Sequence, residues 1–457
     1  MSKTDLYLYH TNDLHSYLAS WPHVAGFLKG KKEEHLANGD AFLLLDIGDH
    51  ADRAHPITEA SAGKANVTLL NEVGYHCATI GNNEGITFPK HDLNELYQDA
   101  TFPVVLSNLI DVTTNEIPTW AKQSVTFSVK GLNVGIIGLT APFYPFYQKL
   151  GWAVQDPHDV LPDLIEKLEK EVDIIILMSH LGLRTDEELA QKYPEIPVIL
   201  GAHTHHLLED GLKVNKTHIG QTGKFGHYVG QLKITFDHEA KKVSSVDMGV
   251  VKAGAIPPSE ETVHLLQQLQ QESDEKMGEV IVDLTEDLTL DWFEPSPSIM
   301  LVNAALKEWC KTDLSMVNAG ILLEELPAGP ITKADIHRIC PHPINPCKVT
   351  LRGDALEEVI QLASTDKMKH FELKGLGFRG KVLGAMVYDG IEVITQNEMI
   401  QTIHVLGEPL ASEKYYTIAT LDMFTFGKLY PSLASAEKEY FMPELLRDVL
   451  AAKLKSV

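Results

Sequence analysis

Short, continuous apolar runs alternate with helix-like stretches over residues 1–255, and this rhythm limits the fold more than any other feature of the chain. Leu6-Tyr7-Leu8-Tyr9 opens the series, and Ala41-Phe42-Leu43-Leu44-Leu45 and Ala78-Thr79-Ile80 come next. Val104-Val105-Leu106, Val134-Gly135-Ile136-Ile137-Gly138-Leu139, Ile174-Ile175-Ile176-Leu177-Met178 and Val198-Ile199-Leu200 complete it. A strand without polar alternation is a strand buried on both faces, which is the signature of a helix-covered sheet. Residues 58–73 and 159–171 read as intervening helices, the first starting near the capping residue Thr58. The expected class is α/β (α+β).

The residues just past the ends of these runs carry the chemistry. Asp13 and His15 come after the first, Asp49 after the second, Asn82 after the third, His180 after the sixth, and His203 and His205 after the last. In extended chain, residues i and i+2 point the same way, so Asp13 and His15 project together. Strand ends at the carboxyl edge of a sheet are where α/β proteins place their sites. Oxygen and nitrogen donors of this kind suit a divalent metal. Polar residues are common in loops after strands, so no single one of these argues for a site. A metal centre shared at one sheet edge accounts for all of them with a single cause.

At 457 residues the chain is too long for one ordinary core, which predicts two domains. No uninterrupted apolar stretch is long enough to span a bilayer, and the N-terminus enters a strand without a basic and then apolar leader. Cys77, Cys310, Cys340 and Cys347 lack CxxC spacing and read as reduced thiols. These features predict a cytoplasmic protein without a membrane partner. The net charge of −24 argues against a nucleic-acid partner. It also means that an anionic substrate needs concentrated positive charge at the site, which bound metal ions supply.

After the Pro257-Pro258 break, residues 260–276 read as a polar helix joining the halves. The expected division is a catalytic domain at 1–255, a linker at 256–278 and a second domain at 279–457. Helices are expected at 296–310 and 354–364, and an apolar run at Tyr415 through Asp422 closes the chain's landmarks.

Together, Asp13-x-His15, Gly48-Asp49, Gly81-Asn82, His180 and Gly201-Ala202-His203-Thr204-His205 resemble a calcineurin-like metallophosphoesterase. With Asn318-x-Gly320 and Gly329-Pro330-Ile331-Thr332, the chain resembles the 5′-nucleotidase and UDP-sugar hydrolase family over nearly its whole length. The closest resemblance is to a cytoplasmic bacterial branch. It implies a four-layer αββα catalytic domain and a C-terminal α/β substrate domain. It implies two divalent ions (Mn, Zn, Fe, Co or Mg) that share Asp49. Asp13, His15 and His205 would complete one site, and Asn82, His180 and His203 the other. Two such ions lie ~3.5–4 Å apart, activate water and stabilise the attacking and leaving oxygens of a displaced phosphoryl group. The implied partner is a nucleotide or nucleotide-sugar, and the implied state is monomer or dimer.

The chain departs from the family at Gly81-Asn82-Asn83-Glu84-Gly85-Ile86. Asn83 stands where the family carries a catalytic His, and Ile86 where an Asp orients it. An amide is no general acid at neutral pH, though it can donate a hydrogen bond to a phosphoryl oxygen. Two expectations arise from this. Either His50, with His55 in the same loop, replaces the missing acid, or the substrate carries a good leaving group, as a phosphoanhydride does. In the second domain, Asn318 and Gly320 match the family, but Ile321-Leu322-Leu323 lacks the Arg that comes after them there. Arg379, on the glycine-rich stretch 375–380, is the candidate anion ligand. Phe424 and Phe426 are candidate base-stacking rings, with core packing as the alternative. Two other readings stay open: a metal- and nucleotide-binding protein with weakened turnover, and a hydrolase of other anionic esters.

Overall fold

The strand Lys3–Thr11 pairs in parallel with Ala41–Asp46 on one side and antiparallel with Tyr228–Asp237 on the other. This comes from a computed structural model that describes residues 3–396, 399–427 and 429–456. The chain divides into two compact units, Met1–Ser273 and Asp274–Val457. The helix Glu260–Met277 contains the division.

In the first unit, one seven-stranded sheet runs Lys242–Lys252, Tyr228–Asp237, Lys3–Thr11, Ala41–Asp46, Cys77–Ala78, Val104–Val105, Ala121–Lys122. A six-stranded sheet runs Leu212–Val214, Thr217–Gly220, Val198–Gly201, Ile174–His180, Leu132–Thr140, Ser124–Val129. Leu6, Leu8, Leu43 and Leu45 of the first sheet meet Val134, Ile136, Ile176, Met178, Val198 and Leu200 of the second in one core. The alternate residues Ile137, Leu139, Ile175, Leu177 and Ile199 face the other way, onto Leu161, Leu164, Ile165, Leu168 and Leu189 of two covering helices. Period-two side chains therefore serve two cores, which is why the runs are apolar throughout. The helix Trp21–Asn38 packs on the strand Ala41–Asp46 and covers the first sheet. The result is the αββα layering that the resemblance implies. Each buried Leu or Ile contributes about 1.5–3 kcal/mol, so the sandwich is a stiff platform for its loops.

The parallel register sets where those loops leave. Thr11 pairs with Asp46 and Asp46 with Ala78 in one sheet. His180 pairs with Thr140, and Ser179 with Gly201, in the other. The donors expected after these strands leave each sheet at its carboxyl edge.

Local departures have local causes. The stretch 58–73 is two helices, Pro56–Ala60 and Lys64–Val73. The chain turns between them at Ala62 and Gly63, with φ of 48° and 79°. A Cβ on Gly63 would meet Leu96 at 2.8 Å, so the turn packs where only glycine fits. The helix expected at 159–171 runs Pro157–Leu168, capped by Asp156, whose side chain accepts the His158 N–H.

The second unit holds a five-stranded sheet ordered Met386–Asp389, Leu314–Asn318, Tyr415–Leu421, Pro346–Arg352, Glu437–Tyr440. The helices Pro297–Cys310 and Gly353–Ala363 pack on it, within a residue or two of expectation. All four cysteines are unpaired and buried. Among the described residues, no helix is long and apolar enough to cross a membrane.

Candidate metal centre

The strand-end loops of the first unit hold an unusual backbone. Asp13, His15, Asp49, His203 and His205 have φ of 50°, 50°, 51°, 72° and 58°. Left-handed backbone is uncommon outside glycine, Asp, Asn and His being the side chains that best tolerate it. Such residues persist where surrounding bonds impose them. Here the Asp13 N–H donates to Gly48 O (3.0 Å), and the His15 N–H to Asp49 O (2.8 Å). The Asn83 N–H donates to Asp49 Oδ1 (2.8 Å), and the His203 N–H to Asp13 Oδ2 (3.0 Å). Gly48 and Gly81 allow the loops to touch: a Cβ on Gly48 would lie 2.3 Å from Gly81 N, and one on Gly81 2.0 Å from Asp49 Oδ1.

Glu84, to which the sequence assigns no role, fastens this crossing. Its carboxylate accepts the N–H groups of Asp49 (2.9 Å), Gly81 (2.9 Å) and Ala51 (2.8 Å). Burial, with the neighbouring Asp49 charge, pushes its pKa up to about 7.

The donor atoms converge in two groups, Asp13 with His15 and His205, and Asp13 with Asp49 and His180, each within 4.8 Å. Asp13 Oδ1 lies 3.7, 3.8 and 3.4 Å from Nε2 of His15, His180 and His205. Asp49 Oδ2 lies 3.7 Å from His15 Nε2 and 3.4 Å from His180 Nε2. It thus touches one histidine from each expected ligand set. The geometric groups share Asp13, and the expected sets share Asp49; both carboxylates lie between the histidines.

His180 shows the tautomer that a ligand needs. Its Nδ1–H donates to Ile47 O at 2.7 Å, which leaves the Nε2 lone pair facing the carboxylates. That Nε2 is buried without a hydrogen-bond partner, and so is Asn82 Oδ1. Buried polar atoms are almost always paired, and two orphans of ligand type at this cluster fit a divalent cation. The electrostatics agree. Burial alone would lower the pKa of His15, but hydrogen bonding to Asp13 and Asp52 and the charge of Asp49 push it up to about 10. Burial likewise opposes protonation of His180, and Asp49 pushes it up to about 9. A proton taken up at either ring would neutralise the carboxylates as a cation bound there would. His203 is the exception, lowered to about 4 by burial and the His180 charge. Its ring lies 5.5 Å from that of His180 and 5.9 Å from that of Phe143.

Asn83 and Asp52 meet the other side of His15. Asn83 Nδ2 is 2.7 Å, and Asp52 Oδ2 3.4 Å, from His15 Nδ1. With Nε2 turned to the cluster, Nδ1 carries the proton. It can donate to Asp52. Asp52 is fixed by its own N–H on Ser16 Oγ (2.8 Å) and by accepting the Ala54 N–H (2.8 Å). Asn83 therefore contacts His15, one of the candidate ligands. Asp52 is a site residue that sequence reasoning missed; its signal was a second carboxylate in the loop Gly48-Asp49-His50-Ala51-Asp52.

His50 corrects an expectation. Its ring packs edge-on against Trp21 at 4.8 Å, and its Nδ1 faces Asn66 Nδ2 at 3.2 Å. Burial lowers its pKa to about 3, so the ring is neutral and no general acid near neutral pH. His55 caps the helix Pro56–Ala60 by accepting the Ile57 N–H.

In the second unit, Asn318 Nδ2 and the Gly320 N–H both donate to Leu383 O at 2.8 Å. The Arg379 N–H donates to His342 Nδ1 at 2.8 Å, and its guanidinium reaches Phe378 O at 3.2 Å. Phe424 is fully buried, with its ring 5.3 Å from that of Tyr430. The stacking role expected for Phe424 is therefore corrected to core packing, because no face of it is open. Phe426 is half-buried.

A four-layer sandwich with an Asp/His cluster at its strand ends defines a metal-dependent phosphoesterase. The comparisons agree. Residues 6–207 match the calcineurin-like phosphoesterase family, and residues 276–431 the 5′-nucleotidase C-terminal domain. The chain is 47% identical to the uncharacterized metallophosphoesterase YunD of Bacillus subtilis, over 99% of both chains. Its fold is that of the Haemophilus influenzae NAD nucleotidase (TM-score 0.70, 17% identity, 100% of this chain and 96% of that one). The Thermus thermophilus 5′-nucleotidase precursor shares it (TM-score 0.62, 20% identity, 99% and 96%). The chain belongs to the calcineurin-like metallophosphoesterases that carry a 5′-nucleotidase C-terminal domain.

Proposed function

We propose that the protein hydrolyses phosphoester or phosphoanhydride bonds of nucleotides or nucleotide-sugars. Its centre would hold two divalent ions on Asp13, His15, Asp49, Asn82, His180, His203 and His205. The observation that carries this reading is the convergence of Asp13, Asp49, His15, His180 and His205, with the orphaned His180 Nε2 beside them. When bound, such ions supply activated water and neutralise charge on the phosphoryl oxygens. The chain's own residues set the geometry. Asp49 spans from His15 to His180, Ile47 O aims the His180 ring, and Asn83 with Asp52 aims the His15 ring.

Neither His50 nor His55 is placed to act as the acid, since His50 is in the core and His55 caps a helix. General acid help is worth roughly 10²–10⁴ in rate, and forgoing it favours substrates whose leaving group needs no proton. A phosphoanhydride meets that condition, whereas a nucleoside monophosphate must expel an alkoxide.

The test is metal-stripped protein reloaded with Mn²⁺, Zn²⁺, Co²⁺ or Mg²⁺. It is assayed on p-nitrophenyl phosphate, its bis-ester and a panel of nucleotides and nucleotide-sugars, with Asp49→Asn as control. We expect metal-dependent turnover that the variant lacks, with a higher kcat/KM on anhydrides than on AMP. Preference for AMP overturns the leaving-group argument. Absence of turnover with every metal favours the binding-protein reading.

A further inference from the structure

Beside His15 the first unit carries aromatic surface that neither the core nor the metal cluster uses. Tyr17 is 46% exposed, and His227 and Lys224 are exposed as well. The Tyr17 ring lies 5.2 Å from that of Phe225 and 5.7 Å from that of His227. Phe225 in turn lies 6.1 Å from the ring of His15, and Lys224 Nζ 4.6 Å from the Phe225 centroid. A row of rings thus runs from a candidate metal ligand outward to solvent, with a cation along it.

The row is built rather than incidental. Phe225 has φ of 63°, a conformation that a bulky aromatic residue rarely adopts. Its N–H donates to Asp13 O at 2.8 Å, and its carbonyl accepts from the Ser20 hydroxyl. The next residue, Gly226, also has φ of 63°, and a Cβ there would meet Ser20 Oγ at 2.8 Å and Leu14 Cδ1 at 2.9 Å. The ring is therefore tied to the same backbone that presents Asp13 and His15. Strained backbone of this kind gathers at working sites. An open tyrosine face beside a phosphoryl-binding cluster suits a planar ring, which it would stack. Lys224 adds positive charge in a chain of net charge −24.

We propose that Tyr17, Phe225, His227 and Lys224 form a subsite for a planar aromatic ring of the leaving group, either an aryl ring bonded to the phosphate oxygen or a nucleobase joined to it through its sugar. This rests on the phosphoesterase reading above and names the substrate class of that site. It locates ring recognition in the first unit, whereas the sequence pointed to Phe424 and Phe426 in the second.

The experiment uses the full-length, metal-loaded protein. kcat/KM is measured for p-nitrophenyl phosphate, AMP and glycerol 1-phosphate with the wild type, Tyr17→Ala and Tyr17→Phe. Stacking predicts that the ratio of aromatic to non-aromatic kcat/KM falls about ten-fold in Tyr17→Ala, mainly through KM, and is kept in Tyr17→Phe. A fall for AMP alone assigns the subsite to nucleobases, and a fall for both aromatic substrates assigns it to aryl rings in general. An unchanged ratio overturns the subsite, and so does an equal loss on all three substrates, which marks a structural role. Turnover on none of them overturns the phosphoesterase reading. The subsite is then decided by titrating phenylphosphonate and methylphosphonate into the same proteins by calorimetry. A preference for phenylphosphonate that Tyr17→Ala abolishes and Tyr17→Phe keeps supports it, and a preference identical in all three proteins sinks it.

Discussion

The two units treat their expected site residues in opposite ways. In the first, side chains from separate strand ends point at one another, and two of their donor atoms, His180 Nε2 and Asn82 Oδ1, are buried without a hydrogen-bond partner. In the second, the Gly320 N–H donates to Leu383 O, the Arg379 N–H donates to His342 Nδ1, and Phe424 fills a core. Asn318 stands between these cases, with Nδ2 bonded to Leu383 O and a buried Oδ1 that has no partner. The difference teaches that residue type and spacing identify a site only where several chain segments must bring donors to one point. A single aromatic residue can be absorbed by local packing, as Phe424 is.

The strongest blow to this contrast falls on Asp49. Asp49→Asn should lower metal-dependent kcat/KM by more than about 100-fold, since even partners behind the ligands cost about 10–100-fold. Calorimetric melting offers a second readout. Metal at 100 times its Kd should stabilise the wild type by about 2.7 kcal/mol and the variant by far less. Equal stabilisation would mean that the ion binds elsewhere.

Phe424→Ala probes the other side of the comparison. Loss of a fully buried Phe should cost about 3–5 kcal/mol in denaturant unfolding and leave KM for nucleotides unmoved. A raised KM at unchanged stability would return Phe424 to the substrate.

Asp52→Ala sharpens the account of His15. Removing the carboxylate behind Nδ1 should weaken metal binding about 10–100-fold by titration, with little change in the melting of the metal-free protein. Unaltered affinity would leave Asn83 as the sole anchor of that ring.

The mildest effect concerns pH. His342 in the second unit is held neutral, with Nε2 bonded to Ile321 O (2.8 Å) and Nδ1 accepting the Arg379 N–H (2.8 Å). Burial lowers its pKa from 6.5 to about 3. A depressed folded pKa contributes stability that is present above pH 6.5 and is lost as pH falls toward 3. Between those values the second unit should lose about 1 kcal/mol per pH unit, and His342→Gln should flatten that slope in acid melts.

The fold was legible because strands buried on both faces cannot hide their apolar continuity, and their ends mark the edge where donors gather. The side chains that converge, Asp13, His15, Asp49, His180 and His205, could be picked out by residue type at the strand ends. What lay outside the sequence was orientation. His50 and Asp49 are neighbours, yet one ring faces Trp21 while the other side chain faces the cluster. Asp52 reads as a loop carboxylate until the ring of His15 is placed against it. Phe424 and Tyr17 are both aromatic, and only packing decides which keeps an open face. The break at Gly63 was hidden because the helical pattern resumes directly after the turn.

The left-handed backbone at residues 13, 15, 49, 203 and 205 has a bearing on redesign. At those positions a replacement must satisfy both the ion and the chain. Glutamate, cysteine or methionine could offer a donor atom there, yet each suits that backbone less well than Asp, Asn or His. Asn82 and His180, which begins no such turn at its strand end, stand on ordinary backbone. Altering metal preference with a softer thiolate donor should therefore start at these two residues, where only the chemistry of the side chain changes.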